Sequence, residues 1–200
     1  MPNIAVIYYS STGNVHQLAA ALADGAREAG AEVRLRRVPE LAPDEAIDSN
    51  PLWRAHVDAT AGDVEEATPA DMEWADGYAL GSPTRFGTPA AQMKQYIDTL
   101  GGLWSTGKLA NKGATAFTSA QNAHGGNETT LLTFYNVFTH FGAVIVPPGY
   151  TDPLLFEAGG NPYGSSVASG GKSATASEAE LAAARYQGRR LAEVTAKLVA

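Results

Sequence analysis

Asn3-Ile4-Ala5-Val6-Ile7-Tyr8-Tyr9 runs straight into Ser10-Ser11-Thr12-Gly13-Asn14, and the reading of that junction decides the fold. The first seven residues are almost uninterrupted apolar and β-prone, the pattern of a strand buried on both faces in a parallel sheet. Beyond the polar stretch, Val15, Leu18, Ala19, Leu22 and Ala26 recur at helical spacing up to a stop at Gly30. Glu32-Val33-Arg34-Leu35-Arg36-Arg37-Val38 then alternates, as an edge or half-buried strand does, with its arginines read as a solvated edge. The first forty residues therefore form a βαβ unit.

Working outward, further strands are expected at 75–81, 113–119 and 143–146. A helix entered at Pro89 carries Met93, Tyr96, Ile97 and Leu100 and stops at Gly101-Gly102. Another carries Leu131, Leu132, Phe134, Tyr135, Phe138 and Phe141, a run more apolar than one face needs, which suggests an oligomer surface as well as a core. Ser177 with Glu180 fits a capping box that opens a last helix with Leu181, Ala184, Leu191, Val194 and Leu198. Repeated strand–helix alternation predicts one open α/β domain over residues 1–200, built on a parallel sheet. Two excursions interrupt it. The first, about 39–71, is acid-rich with little periodicity and room for a short helix near Glu45-Ala46; the second, about 147–175, is Gly/Pro/Ser-rich and too long for a plain connector, which points to binding or assembly.

Composition narrows the chemistry. The 200 residues include no cysteine, which excludes disulfides, thiolate metal sites, iron–sulfur clusters and a Cys nucleophile. The net charge of −7, from 14 basic and 21 acidic side chains, argues against a nucleic-acid partner. No apolar run approaches the roughly 20 residues of a membrane span and no leader pattern opens the chain, so a cytoplasmic protein is expected. Gly102 to Lys108 has P-loop spacing, but Leu109 stands where a magnesium-binding hydroxyl is needed, and a helix precedes it. No G-x-G-x-x-G follows the first strand, no G-x-S-x-G or H-E-x-x-H occurs, and His16, His56, His124 and His140 lack metal-ligand spacing.

The loop after the first strand offers the hydroxyls of Ser10, Ser11 and Thr12, a turn at Gly13, and a helix N-terminus at Asn14 and Val15. Such a set binds a phosphate monoester without a basic side chain, and an ordinary helix cap uses the same residue types. In an open parallel sheet ligands sit beyond the carboxyl ends of the strands. There the chain carries Pro83-Thr84-Arg85-Phe86-Gly87 and Ser119-Ala120-Gln121-Asn122-Ala123-His124-Gly125-Gly126, loops suited to a flat heteroaromatic ligand. Taken alone, Arg85 is a surface residue by default, His140 a packing or capping residue, and Trp104 a core aromatic.

Tyr8-Tyr9-Ser10-Ser11-Thr12-Gly13-Asn14, Gly81-Ser82-Pro83-Thr84-Arg85-Phe86-Gly87, Gly101-Gly102-Leu103-Trp104, His124-Gly125-Gly126-Asn127-Glu128, Val144-Ile145-Val146-Pro147 and Ala184-Arg185-Tyr186-Gln187-Gly188 resemble the WrbA family of flavodoxin-like NAD(P)H:quinone oxidoreductases. The segments lie in the family's order and span nearly the whole chain. The resemblance implies a flavodoxin-like three-layer sandwich with a five-stranded parallel sheet in the order 2-1-3-4-5, and FMN as cofactor. It places the phosphate on Ser10, Ser11, Thr12, Gly13, Asn14 and Val15. The flavin ring then faces Thr84, Arg85 and Phe86, and the loop Ser119, Ala120, Gln121, Asn122, Ala123, His124 and Gly125. His140 matches a histidine that approaches the flavin from a neighbouring subunit, and Trp104 an aromatic of the substrate pocket; both imply the family's homotetramer with subunit-interface active sites. Thr12 stands where the family often has an aromatic associated with the nicotinamide site, and Asn14 where a histidine is frequent.

The implied activity is two-electron reduction of a small-molecule quinone by NADH or NADPH, ping-pong through FMN, with Arg85 and His140 as the side chains closest to the chemistry. The alternative is a flavodoxin-type electron carrier that does not oxidise NAD(P)H. A phosphoacceptor domain of the same architecture needs clustered acids at the first strand end, where Ser10-Ser11-Thr12 offers none.

Overall fold

In a computed structural model that describes residues 1–171 and 175–200, the chain begins with β1 (Asn3–Tyr8), α1 (Asn14–Glu28) and β2 (Glu32–Arg37). Next come α2 (Asp44–Asp48), α3 (Pro51–Thr60), α4 (Pro69–Trp74), β3 (Gly77–Arg85), β4 (Thr88–Pro89), α5 (Ala91–Asp98) and α6 (Gly101–Ser105). The chain closes with β5 (Gly113–Ala120), α7 (Asn127–Phe141), β6 (Val144–Ile145), α8 (Leu154–Glu157), β7 (Ser166–Ala168) and α9 (Glu178–Leu198). The central sheet runs β2-β1-β3-β5-β6, all parallel, which is the expected five-strand order. Two short strands are added to it: β4 turns back on β3, and β7 pairs with the end of β5.

Alternation along β1 builds both layers. Ile4, Val6 and Tyr8 face α1 and α9, where Leu18, Leu22 and Leu191 complete a core; Ala5, Ile7 and Tyr9 face the opposite layer with Met93, Phe134 and Phe138. Helices α1 and α9 approach closely enough that a Cβ on Gly188 would lie 1.9 Å from the Leu22 carbonyl oxygen. Only glycine permits that contact.

The second excursion is explained by the sheet edge. β6 pairs only with Gly113-Ala114 and β7 only with the stretch from Thr118 to Ala120, so the edge strand is interrupted beside 115–117. Gln187 of α9 fills the gap: its Nε2 donates to Thr115 Oγ1 at 2.7 Å and to the Ala116 carbonyl at 2.8 Å, and its Oε1 accepts from the Ser165 N–H at 2.8 Å. A side-chain amide thus takes the place of a missing strand residue. On the same helix, Arg190 donates to the Pro147 carbonyl and Tyr186 shares a hydroxyl bond with Thr151, so α9 holds the insertion at three points. Residues 172–174, at the end of the expected excursion, lie outside the described residues.

The first excursion is not a plain loop but contains α2, α3 and α4. The arginines of β2 are correspondingly paired rather than solvated. Arg34 and Arg36 both reach the buried Asp71 of α4, at 3.3 and 3.1 Å, Arg34 lies 4.1 Å over Trp74, and Arg37 pairs with Glu66 at 2.9 Å. Burial pushes the Asp71 carboxyl up, but the Thr68 N–H and hydroxyl and the two arginines outweigh it and hold it below the usual range. Three local readings also change. Pro89 belongs to β4 and α5 starts after Ala90; Gly101 and Gly102 open α6 instead of ending a helix; and Leu132 and Leu198 are exposed, while Ala184, Leu191 and Thr195 supply the inner face of α9.

Candidate functional site

Because β1, β3 and β5 are neighbours, the loops that follow them share one rim at the carboxyl edge of the sheet. In the first loop Ser10 and Ser11 are buried, and the Gly13 N–H donates to Ser10 Oγ at 3.0 Å. Gly13, at φ 102°, is the N-cap of α1; no side chain caps that helix and no acid stands in its first turn. Asn14 is buried, and its Oδ1 has no hydrogen-bond partner among the described residues. The ordinary-cap reading of the loop therefore fails, since Ser10 serves Gly13 and the helix N-terminus is left to an outside acceptor. Hydroxyls, an uncapped helix and an orphaned amide oxygen fit a phosphate ester whose neighbouring chain carries hydroxyl donors, which is the polar part of FMN.

The β3–β4 hairpin forms the second wall. Thr84 Oγ1 accepts from the Gly87 N–H at 3.2 Å and bonds Thr130 Oγ1 at 2.8 Å, which pins the hairpin to α7. Arg85 crosses to the first loop, its Nη2 donating to Ser11 Oγ at 3.2 Å. Phe86 is fully exposed and holds φ 54°. A side chain in that left-handed region costs about 1–2 kcal/mol, so an exposed aromatic there is strain with no contact within the chain to offset it. In the third loop Ser119 and Ala120 are buried and Gln121, Asn122, Ala123 and His124 are exposed. Asn122 braces the turn by accepting from the N–H groups of His124 and Gly125, both at 3.0 Å.

Trp104 and His140 come together away from this rim. The indole Nε1 donates to the His140 carbonyl at 2.9 Å, and both side chains are exposed. His140 lies near the far end of α7, about 20 Å along the helix axis from the rim where α7 begins. Within one chain the pair is thus separated from the three loops.

Residues not picked out in the sequence pack behind the first loop. The Tyr8 hydroxyl bonds His16 Nδ1 at 2.6 Å, and the His16 and His56 rings are 5.5 Å apart. Burial depresses both imidazoles, and the neighbouring His16 adds to it for His56, which falls to about 4. Glu40 accepts from Tyr9 Oη, Trp53 Nε1 and Gln92 Nε2 at 2.8, 2.9 and 2.6 Å, and from the Leu41 and Ala42 N–H groups. Burial pushes this carboxyl up, yet those donors overcome it and hold it low. It ties the first excursion and α5 to the end of β1. The place of His16 in the first turn of α1 is the one signal that pointed here; His56 sits in a stretch with no period to mark it.

The NADPH-dependent FMN reductase family matches residues 2–152. A protein of Deinococcus radiodurans named NAD(P)H dehydrogenase (quinone) is 53% identical over 196 residues, covering 98% of this chain and 96% of that one. One of the same name from Methylocella silvestris is 44% identical, covering 99% of each. Among solved structures, the WrbA-like flavodoxin of Agrobacterium tumefaciens superposes with a TM-score of 0.67 at 22% identity over 98% of this chain and 99% of that one. Oxidised flavodoxin 1 of Bacillus cereus gives 0.61 at 16% identity over 96% of this chain and 97% of that one. The structural likenesses speak for the flavodoxin-like fold, and the sequence matches carry more: the chain belongs to the NADPH-dependent FMN reductase family, as a flavodoxin-like NAD(P)H:quinone oxidoreductase.

Proposed function

We propose that Ser10, Ser11, Thr12, Gly13, Asn14 and Val15 hold the phosphate of FMN in this NAD(P)H:quinone oxidoreductase, with its ring between Thr84-Arg85-Phe86 and the 119–125 loop. Held by those residues, FMN would supply the redox chemistry, hydride acceptance from NADH or NADPH and two-electron transfer to a quinone, with the two substrates using one pocket in turn. The net change consumes one NAD(P)H, one proton and one quinone, and yields NAD(P)+ and hydroquinone.

The chain's own contribution is binding, orientation and charge. Arg85 is hydrogen-bonded to the loop, 3.2 Å from Ser11 Oγ, and is placed to balance negative charge on the cofactor. Phe86 offers its ring to a planar surface, and the strain of its backbone is accounted for by that use. Thr84 fixes the hairpin so that both residues keep their aim. Trp104 and His140 serve the pocket of a neighbouring copy in a homotetramer, which accounts for their exposure and their distance from their own rim. Among the described residues no helix is long and apolar enough to cross a membrane. The protein works in the cytoplasm.

The observation that carries this reading is the convergence of the uncapped, acid-free N-terminus of α1 with the Arg85–Phe86 hairpin on one rim. The test is NADH- and NADPH-driven reduction of benzoquinone by FMN-reconstituted protein, recorded with its absorption spectrum. Quinone-dependent two-electron turnover is expected; bound flavin without NAD(P)H oxidation would instead mark an electron carrier.

A further inference from the structure

A phosphate dianion on the first loop meets three hydroxyls, backbone amides and a helix N-terminus worth about half a charge, but no lysine or arginine from the loop itself. A titratable group lies directly behind it. His56, on α3 of the first excursion, sets its Nδ1 3.6 Å from where a Cβ on Gly13 would stand, so the imidazole abuts the backbone of the loop's tightest turn. We propose that His56 senses the phosphate: neutral while the loop is empty, it takes a proton from solvent when a phosphate monoester dianion binds, and so favours FMN over riboflavin. The inference rests on the assignment of residues 10–15 to the phosphate.

The surroundings suit a histidine that is neutral at rest. His16, on the first turn of α1, is 5.5 Å from the His56 ring and engaged through Nδ1 with the Tyr8 hydroxyl, so a second cation beside it is unfavourable. From β2 comes Arg37, whose guanidinium is committed to Glu66 at 2.9 Å and to the Val64 carbonyl at 3.0 Å. From the following loop comes Glu40, whose carboxylate is shared among Tyr9, Trp53 and Gln92. On α3 itself Arg54 and Asp58 pair with each other at 3.6 Å. No free carboxylate among the described residues therefore faces the ring to stabilise its charged form, and burial with His16 keeps it deprotonated at neutral pH. A cavity of about 30 Å³ between His56, Ser10, Glu40 and Arg37 has space for an ordered water to link the imidazole to the loop. A dianion one loop-thickness away reverses the local field and draws a proton onto the ring. Binding then consumes a proton, so affinity must weaken as pH rises.

The experiment measures Kd for FMN and for riboflavin by flavin fluorescence with the apo-protein and with His56→Gln, from pH 6.5 to 8.5, where the FMN phosphate is largely dianionic. An imidazole NMR titration of the wild type with and without FMN is run beside it. Expected are an FMN affinity about fourfold weaker at pH 8.5 than at 6.5, a flat riboflavin profile, a flattened FMN profile in His56→Gln, and a His56 titration moved upward by FMN. FMN bound tightly with no pH slope, or an imidazole titration that FMN leaves in place, overturns the role of His56 while the phosphate loop stands. FMN bound no better than riboflavin at every pH overturns the loop assignment itself, and this inference with it.

Discussion

Replacing Gln187 with leucine tests the claim that one side chain completes the sheet. Leucine keeps the bulk but removes all three hydrogen bonds at a site only 1% exposed. The Thr115 hydroxyl can rotate toward another acceptor, but the Ala116 carbonyl and the Ser165 N–H are backbone groups fixed by β5 and by the entry to β7. A buried group left without a partner costs about 1–3 kcal/mol, so two of them set an expected loss of roughly 3 kcal/mol. Against a total stability of about 5–15 kcal/mol, that loss is readily measured. Urea unfolding followed by tryptophan fluorescence should show a lower midpoint with an unchanged slope. Hydrogen exchange should show Ser165 and Val167 opening faster than the β1 amides, because the insertion loosens before the core does. Gln187→Glu adds a sign test: its carboxylate meets the Ala116 carbonyl without a proton to share and regains a donor when acidified, so the deficit should narrow at low pH. A loss under 0.5 kcal/mol, with Ser165 exchange unaltered, would refute the patch as a structural device.

Arg85→Ala should weaken FMN binding about tenfold to a hundredfold, the worth of a charge-assisted contact, and lower turnover with it; unchanged Kd and turnover would remove Arg85 from the site. Phe86→Gly should raise the stability of the apo-protein by about 1 kcal/mol, since glycine relaxes φ 54°, while lowering quinone turnover; thermal unfolding and steady-state kinetics check the two halves separately. The imidazole of His56 is held down to about 4 in the fold, below its ordinary 6.5, so the stability it confers is complete above pH 6.5 and is lost as pH falls toward 4. Because the ring is partly exposed, the expected loss is only about 1 kcal/mol. Urea midpoints of apo wild type and His56→Gln across that range should converge as the pH drops.

What was legible in the sequence was whatever had an apolar run or period. β1 is a continuous apolar run, α1 and β2 repeat at spacings of 3.6 and 2 with glycine punctuation, and the capping box at Ser177 and Glu180 forms as read. The first loop was legible because its hydroxyls, glycine and helix start are consecutive. α3 and α4 were missed although each opens on a local cap, Asn50 before Pro51 and the Thr68–Asp71 box around Pro69, because neither carries a long apolar period and their hold on the rest of the chain comes from carboxylates with distant partners: Glu40 gathers Tyr9, Trp53 and Gln92, and Asp71 gathers Arg34 and Arg36. Nothing local announces such partners. Gly101-Gly102 misled because glycine marks a helix end by freedom of φ, whereas here the break is Thr99 and Leu100, the latter at ψ 0°, and the glycines resume the helix. β7 is three residues long, too short for any alternation to register, and its place depends on Gln187 some twenty residues onward.

Both excursions follow one physical logic. An insertion that joined the sheet by extended strand pairing would lengthen the edges and crowd the carboxyl rim where the cofactor must enter. Each instead adds only a short pairing, β7 on the end of β5 and the Glu66 bridge to Arg37, and is fastened from the side by polar groups with several partners. Asp71 holds α4 against the arginines of the β2 edge, and Gln187 holds the 147–165 segment in a three-residue gap beside β5. Such a fastening leaves the loops after β1 and β3 free to face a ligand. It also lets the first excursion present His56 to the back of the phosphate loop without occupying its front. The cost is concentration: removing Asp71 leaves Arg34 without its carboxylate and Arg36 with only Glu65, and removing Gln187 strands two backbone groups, so each change should loosen an entire excursion rather than a single contact.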